Sequence, residues 1–176
     1  MARMPYFDAA SGDEETREYL DRLPPMNIFR MMAHAETVMP RFVRMGNALL
    51  GKTELDPQLR EMAIVRVGHL SQATYELHQH NALCRKLGMP EDKIEALAGK
   101  ADAPVFSKLE RMVLEFADTV VRDVRAPDAM FEALRKELGE RQMVELVLTI
   151  GYYMMTCRFL ENFGVDIEAS GDTINP

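Results

Sequence analysis

Thr74 to Gly88 reads TYELHQHNALCRKLG and holds one glutamate, two of the four histidines and one of the two cysteines in the chain. On an α-helix, residues four apart stack on one face, while residues two apart point roughly 200° from each other. Glu76, His80 and Cys84 therefore share a stripe, and His78 faces elsewhere. That order bears on three chemistries.

The first is metal binding. His78 and His80 cannot grip one ion from a regular helix, and zinc or iron asks for three convergent ligands. A mixed set of Glu61, His69 and His80 would supply that number, but the expectation is that no metal is held. The second is thiol chemistry, which usually needs a cysteine pair, one sulfur to attack and one to resolve. Cys84 has no such neighbour, and Cys157 falls in an apolar setting on another helix, so both read as small buried hydrophobes. His80 would lower the pKa of Cys84, one turn on, only if that thiol were accessible. The third is acid/base work. An imidazole titrates near neutrality, and a carboxylate beside it fixes its tautomer and exchanges its proton. His80 has two candidate partners, Glu76 one turn earlier and Glu61 beside the apolar run MAIVRV. A structural reading stands next to this one: Glu61 as a first-turn carboxylate favoured by its helix dipole, and His80 as a hydrogen-bonded core histidine.

The elements that must position these groups read as all-α, because no sustained period-2 alternation appears outside segments that also suit helix. With 176 residues, 47% of them hydrophobic, the chain suits one domain. Residues 1–25 form an arm with a short helix that Pro24-Pro25 stops, residues 26–167 form the helical domain, and residues 168–176 form a polar tail. Asn27 is a plausible cap for a long core helix that reaches Gly51 with a kink or break at Pro40. Asp56-Pro57 opens the next helix with a capping carboxylate and a proline where no amide hydrogen is missed. The helix of His80 follows, closed by Gly88. A short helix comes after Pro90, then a strongly amphipathic one ending near Val124. DAMFEALRKELG and a last helix from Glu140 to about Phe163 complete the set.

The longest apolar run, Met143 to Met155, is broken by Glu145, Thr149 and Gly151 and falls short of the ~18 to 20 clean residues of a membrane span, so no membrane is expected as a partner. No apolar stretch follows the first arginine, which makes a cytoplasmic location the expectation. A net charge of −7 without a cluster of Lys and Arg argues against nucleic acid. MVELVLTIGYYMM is apolar nearly all round and the chain holds fourteen methionines, so a homo-oligomer is expected.

Leu59 to Leu97 resembles the core of the carboxymuconolactone decarboxylase family, which also includes the AhpD-like alkylhydroperoxidases. The family patterns R-E-x-A-I-x-R-V, Y-E-x-x-x-H and G-x-x-x-x-x-I are met by Arg60-Glu61, by Tyr75-Glu76 with His80, and by Gly88 with Ile94. LVLTIGYYMMTCRFLENFGV near the C-terminus is similar to a second decarboxylase-like pattern. The resemblance implies an AhpD-like helical bundle of about six to eight helices, assembled as trimers or hexamers. In the peroxidase branch a Glu-x11-Cys-x-x-Cys-x3-His site uses the glutamate and histidine to activate a cysteine pair. Laid on this chain, Glu61 and His80 take the relay positions, while Ala73 and Glu76 stand where the cysteines would be. The decarboxylase branch needs no cofactor and removes CO2 from a carboxylated unsaturated lactone. On that pattern His80 exchanges the proton and Glu61 orients it. Glu76 or Tyr75 lines the pocket, and one of Arg60, Arg66 or Arg158 pairs with the substrate carboxylate. Two departures stand out: Leu77 follows Tyr75-Glu76 where the branch has tryptophan, and Met154 replaces an asparagine. The functional expectation is a cofactor-free lyase or isomerase acting on a small carboxylate, as in aromatic compound catabolism. The alternatives are a peroxiredoxin-like thiol peroxidase and a non-catalytic oligomeric binding module.

Overall fold

A computed structural model, describing residues 1–170 and 174, places eight α-helices and no strand among the described residues. In chain order they are α1 (Glu14–Asp21), α2 (Asn27–Met32), α3 (Met39–Gly51), α4 (Pro57–Leu70), α5 (Thr74–Lys86), α6 (Glu91–Ala96), α7 (Lys108–Asp123) and α8 (Asp128–Phe163).

Helix α4 is the axis of the fold. The Asp56 side chain accepts from the backbone N–H of Gln58 and of Leu59 at 2.9 and 3.0 Å, and Pro57 fills the first helical position, so the start is set locally. From Leu59 to Gly68 every residue is buried, because α5, α7 and α8 pack around it. Each fully buried apolar side chain in such a helix contributes about 1.5–3 kcal/mol. The polar members of this run, Arg60, Glu61 and Arg66, must therefore find partners inside the protein. Gly68 lets α5 come close: a Cβ there would meet Leu77 Cδ2 at 3.0 Å.

The expected long helix from Asn27 to Gly51 is two helices. Residues 33–38 form turns, and Pro40 sits in the first turn of α3, where its missing N–H costs nothing. Proline opens a helix here instead of bending one. Asn27 is the first residue of α2 rather than its cap; its backbone N–H donates to Glu168, 141 positions along the chain, at 2.7 Å.

The break between DAMFEALRKELG and the last helix falls at Gly139, whose φ of +79° suits a residue without a Cβ. Two helices meet across this kink, and α8 taken whole is apolar enough to cross a membrane by length and composition only, a test that a buried core helix also passes. Half of its most apolar window is buried inside the protein, against α4 and α7. The N-terminal arm docks on the other end of α8: Arg3 N–H donates to Phe163 O, and the Met1 ammonium lies 2.9 Å from Asp166.

Candidate active site

His80 is the centre of the site. It lies on the buried face of α5, and its Nδ1 is 2.6 Å from Glu61 Oε2 on α4. Its Nε2 is 3.0 Å from Glu76 Oε1, one turn earlier on α5, in ion-pair range but without the alignment of a hydrogen bond. Arg60 Nε donates to the other oxygen of Glu61 at 3.0 Å. The ring of Tyr153, from α8, meets the imidazole edge-on with centroids 4.8 Å apart. All five side chains are buried.

Burial alone would lower the His80 pKa. The Glu76 and Glu61 carboxylates outweigh it and push the value up to about 10. The charges agree with that direction: Arg60 and an imidazolium balance two carboxylates, whereas a neutral ring would leave a net negative charge in the core. Burial, then Glu76 and Glu61, holds the Tyr153 phenol well above its ordinary range, so it stays protonated. The arrangement is a charged acid held between two bases, suited to moving a proton.

A cavity of about 260 Å³ gives this acid something to act on. Glu76, His80, Tyr75 and Gln79 of α5 form one wall, Tyr152, Tyr153 and Thr156 of α8 a second, and Phe42, Gly46 and Asn47 of α3 a third. The link from Arg22 to Ile28 closes another side, and Ile174 contributes to the lining. A Cβ at Gly46 would stand 2.5 Å from the Tyr152 hydroxyl, so this position needs glycine for the wall to close.

The candidates read from the sequence divide into two groups. His80, Glu61 and Glu76 are brought together, with Arg60 against Glu61 and Tyr75 in the cavity wall. Arg60 is committed to Glu61 and does not line the cavity. Arg66 is drawn to the far side of α4, where it pairs twice with Asp118 and donates to the carbonyls of Leu97 and Gly99, so its guanidinium is spent on structure. Arg158 lies on a separate surface groove with Ser71 and Glu161. Among the described residues the arginine that lines the cavity is Arg22, which pairs with Glu18 at 2.9 Å on the exposed side. Its only sequence signal is its position just before Leu23-Pro24-Pro25.

Both cysteines are free and buried. Burial, followed by the Glu61 charge, pushes the Cys84 thiol up to about 12. Burial and Glu76 raise Cys157 as well. At neutral pH neither is a nucleophile. Ala73, at the first of the positions where the peroxidase pattern has cysteine, is fully buried at the start of α5.

Residues 36–119 match the family described as the carboxymuconolactone decarboxylase family. An uncharacterized protein of Bacillus subtilis, YdfG, is 27% identical over 101 residues, 56% of this chain and 69% of that protein. Among solved structures, an alkylhydroperoxidase AhpD core protein of Ralstonia eutropha, described as an uncharacterized peroxidase-related protein, superposes with a TM-score of 0.83 at 20% identity over 97% of this chain and 94% of its own. A peroxidase-related protein of Silicibacter sp. superposes at 0.81 with 24% identity over 96% and 91%. These last two likenesses bear on the fold.

Proposed function

We propose that the chain is a member of the carboxymuconolactone decarboxylase family, whose pattern matches residues 36–119, and that it is a cofactor-free lyase or isomerase that uses His80 to move a proton on a small carboxylated, unsaturated ring. The observation that carries this reading is the position of His80, clamped between Glu61 and Glu76 in the wall of a cavity sized for a single-ring compound. Loss of CO2 from such a carboxylate leaves an electron pair that the lactone carbonyl delocalises. The His80 imidazolium delivers a proton to the resulting carbanionic carbon, and its own proton is replaced from water. Glu61 keeps the ring oriented, and Glu76 stabilises the charged form until transfer. Arg22 takes the part of substrate-carboxylate partner that Arg60, Arg66 and Arg158 are not placed to play.

A panel of unsaturated lactone carboxylates and keto acids, assayed for CO2 release and for deuterium uptake from D2O, tests this. Turnover that disappears in His80→Ala is the expected result; equal rates in His80→Ala and wild type would remove the proposal. A thiol peroxidase would need at least one buried thiol to ionise, and peroxide consumption that depends on Cys84 or Cys157 would favour it. The proposed assembly is a homo-oligomer, supported by the exposed apolar side chains Val144, Val147, Leu148 and Met155 on α8; gel filtration at the monomer mass would exclude it.

A further inference from the structure

One buried carboxylate is not used by the relay. Glu168 follows α8 in the segment that leads to the C-terminus, and only 8% of it is exposed. Its Oε1 accepts the Tyr75 hydroxyl and the backbone N–H of Asn27, each at 2.7 Å, and its Oε2 accepts Gln79 Nε2 at 3.1 Å. No lysine or arginine pairs with it among the described residues. Three neutral donors from two distant elements converge on one side chain, an expensive arrangement to build inside a protein unless the groups it holds need holding.

Two of those groups face the cavity. Tyr75 and Gln79 are four apart on α5 and sit beside the Glu76/His80 pair in the same wall. The third donor, Asn27 N–H, starts α2, whose Ile28 and Phe29 line the opposite side, and Asn27 Nδ2 donates to Asp166 O beside the same segment. Glu168 therefore joins the α1–α2 link to α5 across the rim of the cavity. The bonds also fix what this wall offers. The Tyr75 hydroxyl is engaged by Glu168 and by the Ile28 backbone, so the residue presents its ring face to the cavity. Gln79 has its amide turned with Nε2 to Glu168 and Oε1 accepting from Ile174 N–H at 2.9 Å.

We propose that Glu168 is a positioning residue for substrate recognition: it locks Tyr75 and Gln79 so that their end of the cavity accepts the apolar edge of a small ring. The inference deepens the proposed function and rests on the same cavity being the binding site. It separates two tasks on one helix, recognition through Tyr75 and Gln79 and proton transfer through Glu76 and His80.

Calorimetric titration with 2-furoate, a stable unsaturated ring carboxylate, tests recognition without turnover. Glu168→Gln puts an amide nitrogen where donors already converge, and Tyr75→Phe removes one donor and leaves Glu168 in place. Each is expected to weaken 2-furoate binding about tenfold. The double variant is expected to bind within about twofold of either single one, since the pair acts as a unit. The pH dependence of turnover on any substrate found is expected to match wild type in Tyr75→Phe. Wild-type affinity in both single variants, additive losses in the double variant, or a shift of the pH profile as large as that of Glu61→Gln would each overturn the proposal. If Glu168→Gln does not fold, Tyr75→Phe carries the same test alone. A wild type that turns over a lactone carboxylate but does not bind 2-furoate would overturn the recognition role and leave the proton-transfer reading standing.

Discussion

Two glutamates grip neighbouring stripes of the same helix in different ways. Glu61 holds the Glu76/His80 stripe from α4, 19 positions away in sequence, and it faces cationic groups, the His80 ring and Arg60. Glu168 holds the Tyr75/Gln79 stripe from 93 positions beyond Tyr75, and among the described residues it faces neutral donors alone. The difference is one of chemistry. A carboxylate against an imidazole sets where a proton resides, whereas a carboxylate against a hydroxyl and an amide sets where those groups point.

The largest effect expected from breaking this comparison is on the charged side. Glu61→Gln removes one of the two carboxylates that hold His80 charged, and turnover should fall by about 10²- to 10⁴-fold, with the pH at which activity fades moving down toward the ordinary imidazole range. Steady-state kinetics from pH 6 to 10 on wild type and variant would check both. The wild-type profile follows from the same pKa. Because the folded value of about 10 lies above the ordinary 6.5, the proton on His80 stabilises the fold fully below pH 6.5. That contribution is lost as pH rises through 10. Thermal melts should therefore fall between pH 7 and 10 in wild type, with a shallower fall in His80→Gln.

The next effect tests whether a buried ion pair outside the cavity matters to function at all. Arg66→Met leaves Asp118 with the exposed Arg122 as its only ion-pair partner among the described residues and removes the donor to the Leu97 and Gly99 carbonyls, which should cost about 3 kcal/mol of stability in urea unfolding, while leaving 2-furoate affinity unchanged. Lost affinity at unchanged stability would reassign Arg66 to the site. Smallest of all, Cys84→Ala should keep peroxide consumption and any turnover within about twofold of wild type, because its thiol is fully buried and held in the protonated form.

How much of this could be read before the fold was known follows the same division. Glu61 and His80 were legible because each falls at helical spacing, and a carboxylate directly before MAIVRV is poorly placed to face water. The start of α4 was legible because Asp56-Pro57 caps it with purely local bonds. Glu168 was not, since it stands in a short polar stretch whose composition reads as tail, and its burial depends on contacts across most of the chain. The arginines failed for a related reason. Sequence supplies the charge, but whether Arg66 meets Asp118 or a substrate is decided by which side of α4 faces α7. Pro40 shows the remaining gap: the residue that would kink one helix equally well begins another, and only the turns at 33–38 decide between them.

The central claim, that His80 is a charged acid held by two glutamates, is tested most directly by ¹⁵N NMR titration of the His80 ring in the wild-type protein. Both ring nitrogens are expected to remain protonated at pH 8 and to lose a proton only near pH 10. A neutral ring at pH 7 would contradict the account.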